Sequence, residues 1–316
     1  MTITGRQLRK DTFMATEIMV SGLINIETTL AIDGFPLNYF PVTYAFDRIN
    51  TTVSGVGYNV AKALHTLGHP VEMVSMIGND VNAPIVETEL KQLGISHHGV
   101  CRTLAQTPAS VILYAPDGQR QIHVDLKQIQ ETEFDRQLFD EKLRRCQLAV
   151  MCNINYNRAL LAEVKASGKP IATDVHVLAD PDDDYNRDFM AAADILFLSD
   201  EGLHGREPEA FIGELYQRYH NQIIVMGRGR EGALMFVAED SQFYHTPAIT
   251  TRPIINTVGA GDALFSAFVH GWLSLGNPYQ ALQQAVRFAS WKIGEKGAAE
   301  GFLNAKQLDE LSQTTR

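Results

Sequence analysis

The chain is predicted to be an α/β protein built on a doubly wound, mostly parallel β-sheet. Three observations lead there. From "CQLAVMCNI" to "NQIIVMG", apolar runs of strand length alternate with runs of helix length, the order of a parallel sheet covered on both faces. Upstream, the continuous apolar stretch "VEMVSMIG" (71–78) has the look of a strand buried on both sides. Composition agrees: 316 residues, 45% apolar and 20% charged, suit one large globular domain.

Taken in order, "EIMVSGLINIETTLAI" (17–32) predicts a strand, a turn at Gly22 and a second strand with alternating apolar residues. Residues 33–53, rich in aromatics and proline, lack a helical period and predict short strands and loops outside the main body. "YNVAKALHTLG" (58–68) and "APIVETELKQLG" (83–94) are helices closed by glycine. His97 and His98 fall in a solvated loop between a helix and a strand. "PASVILYAPDGQRQIHVDL" (108–126) predicts a hairpin turning at Asp117-Gly118.

Through the alternating region, "RALLAEVKASG", "RDFMAAA" and "PEAFIGELYQRYH" are helices, while "KPIATDV", "DILFLS" and "NQIIVMG" are strands. "GALMFVAEDSQFYHTPA" returns as antiparallel strands, and apolar helices follow at 262–275 and 278–293. Residues 1–16 carry Arg6, Arg9 and Lys10 without an apolar segment, and form an N-terminal extension to a domain over 17–316.

The net charge of −10 argues against a nucleic-acid or anionic-membrane partner. No apolar run approaches the ~20 residues of a membrane span. Three cysteines, without zinc spacing or a C-x-x-C pair, fit reduced thiols in the cytoplasm. The acidic stretch "DPDDDYNRD" (180–188) lacks the EF-hand pattern and predicts a surface loop.

Three glycine-rich stretches carry the chemistry. "GRGREG" (227–232) matches G-x-G-x-x-G but precedes a strand rather than a helix, so a strand–turn–strand corner is expected. In "SGVGYN" (54–59), Gly55 and Gly57 bare a helix start, and Asn59 can both donate to and accept from hydroxyls. In "NTVGAGDALFSAF", Gly259, Ala260 and Gly261 precede a long apolar run, and Asp262 stands where the helix begins. A helix N-terminus attracts anions, phosphoryl groups above all. Asp262 is then either a cap worth ~1 kcal/mol or a general base beside a phosphate held by bare amides. The residues alone leave both open.

These stretches resemble the two signatures of the ribokinase-like (PfkB) carbohydrate kinases. "NTVGAGDALFSAF" resembles D-T-x-G-A-G-D, and "SGVGYNVAKALHTLG" resembles G-G-x-x-x-N-x-A-x-x-x-x-x-L-G. The resemblance spans roughly residues 17–305. It implies an ATP-dependent carbohydrate kinase that phosphorylates a hydroxymethyl group. It also implies a small β-sheet lid, over about 30–53 and 108–126, and a cytoplasmic homodimer paired through that lid.

By position, Asp262 matches the catalytic base, and Gly259, Ala260 and Gly261 match the anion hole. Gly55, Gly57 and Asn59 match the sugar-binding turn. Asn25 and Glu27 match the sugar-binding N-x-D, with one extra methylene at Glu27. Gly227, Gly229 and Gly232 fall on the ATP side.

Departures are as informative. Where the family has N-x-x-E for Mg²⁺ and phosphate, this chain has "SDEG", with Ser199 for the Asn and Gly202 for the Glu; Asp200 and Glu201 are the neighbouring carboxylates for a metal. Asn256 replaces the first Asp of the C-terminal signature, at a position that often belongs to a monovalent-cation site, which puts K⁺ dependence in doubt. Ser54 replaces the first glycine of G-G.

Two other readings compete. Phe35, Tyr39, Phe40, Tyr44 and Phe46 can stack a base, as a nucleoside kinase needs, or pack the lid or a dimer seam. The altered "SDEG" segment suits a protein that binds without turnover. Asp174 and His176 end a strand at the sheet edge where α/β ligands bind.

Overall fold

A computed structural model describes residues 17–314, so the N-terminal extension assigned to 1–16 lies outside the described residues. Thirteen strands and ten α-helices alternate in this stretch. The first half contains β1 (Ile18–Ser21), β2 (Asn25–Ala31), β3 (Ile49–Ser54), α1 (Val56–Thr66), β4 (Val71–Gly78), α2 (Ala83–Leu93), β5 (Ser96–Leu104), β6 (Ala109–Tyr114), β7 (Arg120–Asp125) and α3 (Arg136–Arg145). There follow β8 (Leu148–Met151), α4 (Asn155–Arg158), α5 (Leu161–Ala166), β9 (Ile171–Val177), α6 (Arg187–Ala192), β10 (Ile195–Ser199), α7 (Pro208–Tyr219) and β11 (Ile223–Gly227). The remainder is β12 (Ala233–Val237), β13 (Gln242–Thr246), α8 (Ala260–Leu275), α9 (Pro278–Lys292) and α10 (Ala305–Thr314).

Nine strands form one sheet in the order β13-β12-β11-β10-β9-β8-β1-β4-β5, parallel except where β12 pairs antiparallel with β11 and β13. Burial explains the apolar strand sequences: β1, β4 and β8 are buried at every residue because helices cover both faces. One apolar layer packs α1, α2, α8 and α9 on the sheet. The other packs α3 and α5 to α7 on the opposite face. Among the described residues no helix is long and apolar enough to cross a membrane.

The other four strands make a separate, smaller sheet, β3-β2-β6-β7, over the region expected to form the lid. Its boundaries differ from the expected 30–53 and 108–126. Strand β2 already belongs to it from Asn25, while the stretch between β2 and β3 contains no strand. Prolines and a lack of apolar alternation keep that stretch irregular. Tyr39, Phe40, Tyr44 and Phe46 there are exposed, so they do not pack against the small sheet. The hairpin β6–β7 forms as expected.

Other expectations also need correction. His97 and His98 lie within edge strand β5, paired parallel to β4, rather than in a loop. The helix expected over "RALLAEVKASG" shortens to α5, and a separate turn, α4, precedes it and shares only Arg158 with that segment. Helix α8 begins at Ala260, two residues before the expected start. The loop 180–188 spends its acids locally: Asp182 pairs with Arg218, Asp184 pairs with Arg187, and Asp183 accepts from the Asn186 amide.

Candidate active site

Helix α8 is buried from Asp262 to Gly271, and its first turn lies beside β9, where a Cβ on Gly261 would stand 3.9 Å from Asp174 Oδ2. Gly259 caps it with φ of 77°, and a Cβ there would lie 2.5 Å from the Ala298 carbonyl oxygen. Glycine is the residue that takes this turn without strain. The first amides of a helix have no intrahelical partner. That of Ala260 donates to the Thr257 carbonyl at 3.1 Å, which removes it from the expected anion hole. Among the described residues, the amides of Gly259, Gly261 and Asp262 have no protein acceptor, so the set of free donors is shifted by one residue.

Asp262 lies in this first turn and is buried, and its Oδ2 accepts a 2.7 Å hydrogen bond from Asn59 Nδ2. That bond joins residues 203 positions apart and brings the two glycine-rich stretches to one point. Gly55 and Gly57 make it so by packing rather than by lining a cleft. A Cβ on Gly55 would sit 2.6 Å from the Leu23 oxygen, and one on Gly57 would sit 2.5 Å from the Gly22 carbonyl carbon. Their bareness therefore lets the start of α1 press on the Gly22-Leu23 turn, where the Tyr58 amide donates to Leu23. Close packing within the chain is thus a sufficient reason for glycine at both positions.

The smaller sheet contributes a row of polar groups on one face. Asn25 Nδ2 donates to Ser110 Oγ at 3.0 Å. Ser54 Oγ lies 3.0 Å from Glu27 Oε2 and 3.2 Å from Asn59 Oδ1, so one hydroxyl proton serves two acceptors. The serine that departs from the G-G pattern thus anchors the glutamate that departs from N-x-D. Asn25 Oδ1 and Glu27 Oε1 are buried without a hydrogen bond of ordinary geometry, although the Ala298 backbone lies near enough to the Glu27 carboxyl to lower it. Buried acceptors left open call for donors, which the hydroxyls of a ligand would supply.

Burial raises the Asp262 carboxyl above its ordinary range; the Asn59 hydrogen bond and then His176 oppose that rise, while Asp174 adds to it. Burial likewise raises Glu27, against the Ser54 hydrogen bond. Asp174 and His176 sit beside this center, with His176 Nδ1 3.6 Å from Asp174 Oδ2 and the Asp174 carboxylate also accepting from the His176 amide.

Lys292, at the end of α9, is fully buried, and its Nζ donates to the Val258 carbonyl just ahead of the Gly259 turn. Burial pushes its ammonium down to about 8, against the pull of Asp262 and Glu27. The sequence reading missed this residue. Its only signal was a lone lysine in the apolar stretch "FASWKIG". Ser110 and Arg120 were also missed, being unremarkable members of a hairpin.

Asn256 is structural: its Oδ1 accepts from the Val258 amide at 3.0 Å and its Nδ2 donates to the Lys296 carbonyl at 2.7 Å. With both ends of its amide occupied, it pins the loop and presents nothing to a nucleotide.

On the other side of α8, residues 227–232 form the expected corner between antiparallel β11 and β12. Gly229, at φ of 49°, has open space where a Cβ would point, and Gly227 meets Leu264 only at ordinary contact distance. Gly232 instead packs: a Cβ would lie 2.1 Å from the Thr246 oxygen.

Asp200 follows β10 and is raised by desolvation, with Arg228 opposing. Glu201 reaches Arg120 at 3.5 Å. Gly202 explains why N-x-x-E is absent, since any side chain there would meet the Leu178 oxygen at 2.6 Å. Among the described residues no three His, Cys, Asp or Glu side chains converge as a metal site.

The pattern of the pfkB family carbohydrate kinases matches residues 15–305. The chain belongs to that family. It is 25% identical over 267 residues to an acarbose 7(IV)-phosphotransferase of Actinoplanes, covering 84% of this chain and 87% of the relative. It is also 25% identical over 291 residues to an ATP-dependent ribose-1-phosphate kinase of Halopiger xanaduensis, covering 89% and 93%. Among solved structures, a microbiome-derived acarbose kinase, Mak1, superimposes with a TM-score of 0.85 at 25% identity, covering 94% of this chain and 99% of that one. The pfkB chain described above is therefore an ATP-dependent phosphotransferase with a hydroxyl acceptor, of the sugar and nucleoside kinase class.

Proposed function

We propose that the chain transfers the γ-phosphoryl group of ATP to a hydroxymethyl oxygen of an uncharged sugar bound between the lid and α8, with Asp262 as general base. The observation that carries this reading is the Asn59–Asp262 bond, which sets a buried carboxylate between a polar sugar-sized row and unpaired helix amides. Asn25 and Glu27 hold hydroxyls through their open oxygens. Asp262 accepts the proton of the attacking hydroxyl, and Asn59 fixes the orientation of its carboxylate. The amides of Gly259, Gly261 and Asp262 face the charge that spreads over the transferred group.

Mg²⁺, when bound with the nucleotide, supplies charge neutralisation. Such an ion takes one or two carboxylates and fills its other positions with phosphate and water, and Asp200 with Glu201 fits that small donor set. Gly227 and Gly229 border the nucleotide. The bond of Lys292 to Val258 fills the neighbourhood of Asn256 with a resident cation, which fits activity independent of K⁺.

The outer lid face, with Ile49 and Val111 exposed, supports a homodimer formed through the lids. The exposed rings of Tyr39, Phe40, Tyr44 and Phe46 keep a second reading alive, that the acceptor is a nucleoside. A panel of sugars and nucleosides with ATP, read by ADP release, decides between them. Turnover confined to nucleosides reverses the assignment, and turnover of neither group refutes both.

A further inference from the structure

We propose that the acceptor is larger than one sugar ring, and that the unit joined to the phosphorylated sugar is an uncharged, hydroxyl-bearing one held in a cavity between β3 and α2. This rests on the kinase reading above. The cavity has a volume of about 580 Å³, within the ~300–1,000 Å³ usual for small-molecule pockets.

Three parts of the sugar site run directly into its walls. Thr52 stands opposite Glu27 in the β2–β3 ladder, so the two share a sheet face. Lys62 lies three residues beyond Asn59, on the same side of α1. Ala299 and Glu300 follow Ala298, whose carbonyl packs on the Gly259 turn and whose backbone lies near the Glu27 carboxyl. A sugar seated with its hydroxymethyl group at Asp262 and its hydroxyls on Glu27 therefore has this space beside it.

The walls suit a second ring. Thr52 and Thr88 carry hydroxyls and Gln92 an amide, groups that both donate and accept. Pro84 and Ile85 add apolar surface for the C–H face of a ring. Strand β3 is the edge of the smaller sheet, and an edge strand keeps backbone N–H and C=O groups for further bonds.

The charges on the walls are already engaged. Lys62 Nζ lies 3.3 Å from Glu89 Oε1, which also accepts from the Tyr58 hydroxyl at 2.6 Å. Glu300 Oε2 accepts from the Gly297 amide at 3.0 Å. One lysine against two glutamates offers little to a phosphate or a carboxylate. Among the described residues no aromatic ring lines the cavity, so a nucleobase has no stacking partner there. A disaccharide or a larger neutral glycoside fits these walls.

The test pairs each monosaccharide of an acceptor panel with disaccharides that contain it. It compares the wild-type chain with Thr88→Trp, which fills the cavity, and with Lys91→Trp, which adds the same ring to α2 away from it. Thr88 and Lys91 are both exposed, so neither change disturbs the core. The wild-type chain is expected to use its preferred disaccharide at a KM roughly 10- to 100-fold below that of the matching monosaccharide, the scale of two or three added hydrogen bonds. Its kcat should be similar for both, because contacts remote from the reacting hydroxyl hold substrate and transition state alike.

Thr88→Trp should raise the disaccharide KM by about tenfold or more and leave the monosaccharide KM within about threefold, while Lys91→Trp changes neither. Calorimetric titration of the same disaccharides without ATP needs no turnover, and binding should weaken by a similar factor in Thr88→Trp alone.

Monosaccharide turnover without a disaccharide preference, or a Thr88→Trp protein that keeps the preference, overturns the proposal and leaves the kinase reading standing. If the wild-type chain phosphorylates no acceptor, nucleosides included, it is the kinase reading that fails. The titrations then still judge the cavity, which is refuted if no disaccharide binds the wild-type chain or if Thr88→Trp binds it equally well.

Discussion

Replacing Gly259 by alanine probes how the anion hole is held. Two costs follow from its surroundings. At φ of 77° a side chain enters the left-handed region, which costs an L-residue roughly 1–2 kcal/mol. The new Cβ would also stand 2.5 Å from the Ala298 oxygen, where ordinary contacts begin near 3.4 Å. Either the turn or the 298 backbone must then move by roughly 1 Å, a displacement of reacting groups that costs about 100-fold in rate.

The expected result is a ~10²-fold loss of kcat and ~2–3 kcal/mol of stability, read by steady-state kinetics and denaturant unfolding. Gly261→Ala is the control. Its Cβ would find Asp174 Oδ2 at 3.9 Å and nothing nearer, and alanine in a helix gains up to about 1 kcal/mol over glycine. A Gly259→Ala protein with wild-type kcat and an unmoved unfolding midpoint would refute the reasoning.

Other outcomes follow from the same site. Asp262 acts only when deprotonated, and burial raises its carboxyl, so kcat/KM should fall toward acid at a pH above the ordinary aspartate range. Asn59→Leu removes the donor that opposes that rise; the acid limb moves to higher pH, and kcat at neutral pH drops by roughly 10- to 100-fold. An unmoved limb would detach Asn59 from the base.

Lys292 has a folded value of about 8 against 10.5 when exposed, so the unfolded chain binds the extra proton between those values. Stability should therefore rise with pH from 8 to 10.5 by on the order of 3 kcal/mol through this group. The difference between wild type and Lys292→Met unfolding curves reads this group together with its pull on the Asp262 and Glu27 carboxyls, while more distant titrating groups cancel. Parallel curves across that window would contradict the burial of a charged lysine.

Much of the fold was legible because period and punctuation agreed. The strands "VEMVSMIG" and "DILFLS" are buried on both sides, and the helices between them end at glycines or caps. Edge strand β5 escaped notice because "SHHGVCRTL" is half-exposed and looks polar. In the site, Asp262 and Asn59 were legible from their two signatures, as was the polar pair Asn25 and Glu27. The parts of Gly55, Gly57 and Gly232 were not, since a bare residue looks the same whether a ligand or a carbonyl fills the space beside it. Lys292 and Arg120 reach the site from α9 and β7 through long-range packing, which no local pattern encodes.

The most direct measurement is the turnover number of Asp262→Asn on the acceptor that the panel identifies. The variant keeps the shape of the side chain and can still bond to Asn59 after its amide reorients, but it cannot accept a proton. The account predicts a ~10²–10⁴-fold fall in kcat with sugar and ATP affinities little changed. Near-wild-type turnover by this variant would contradict it.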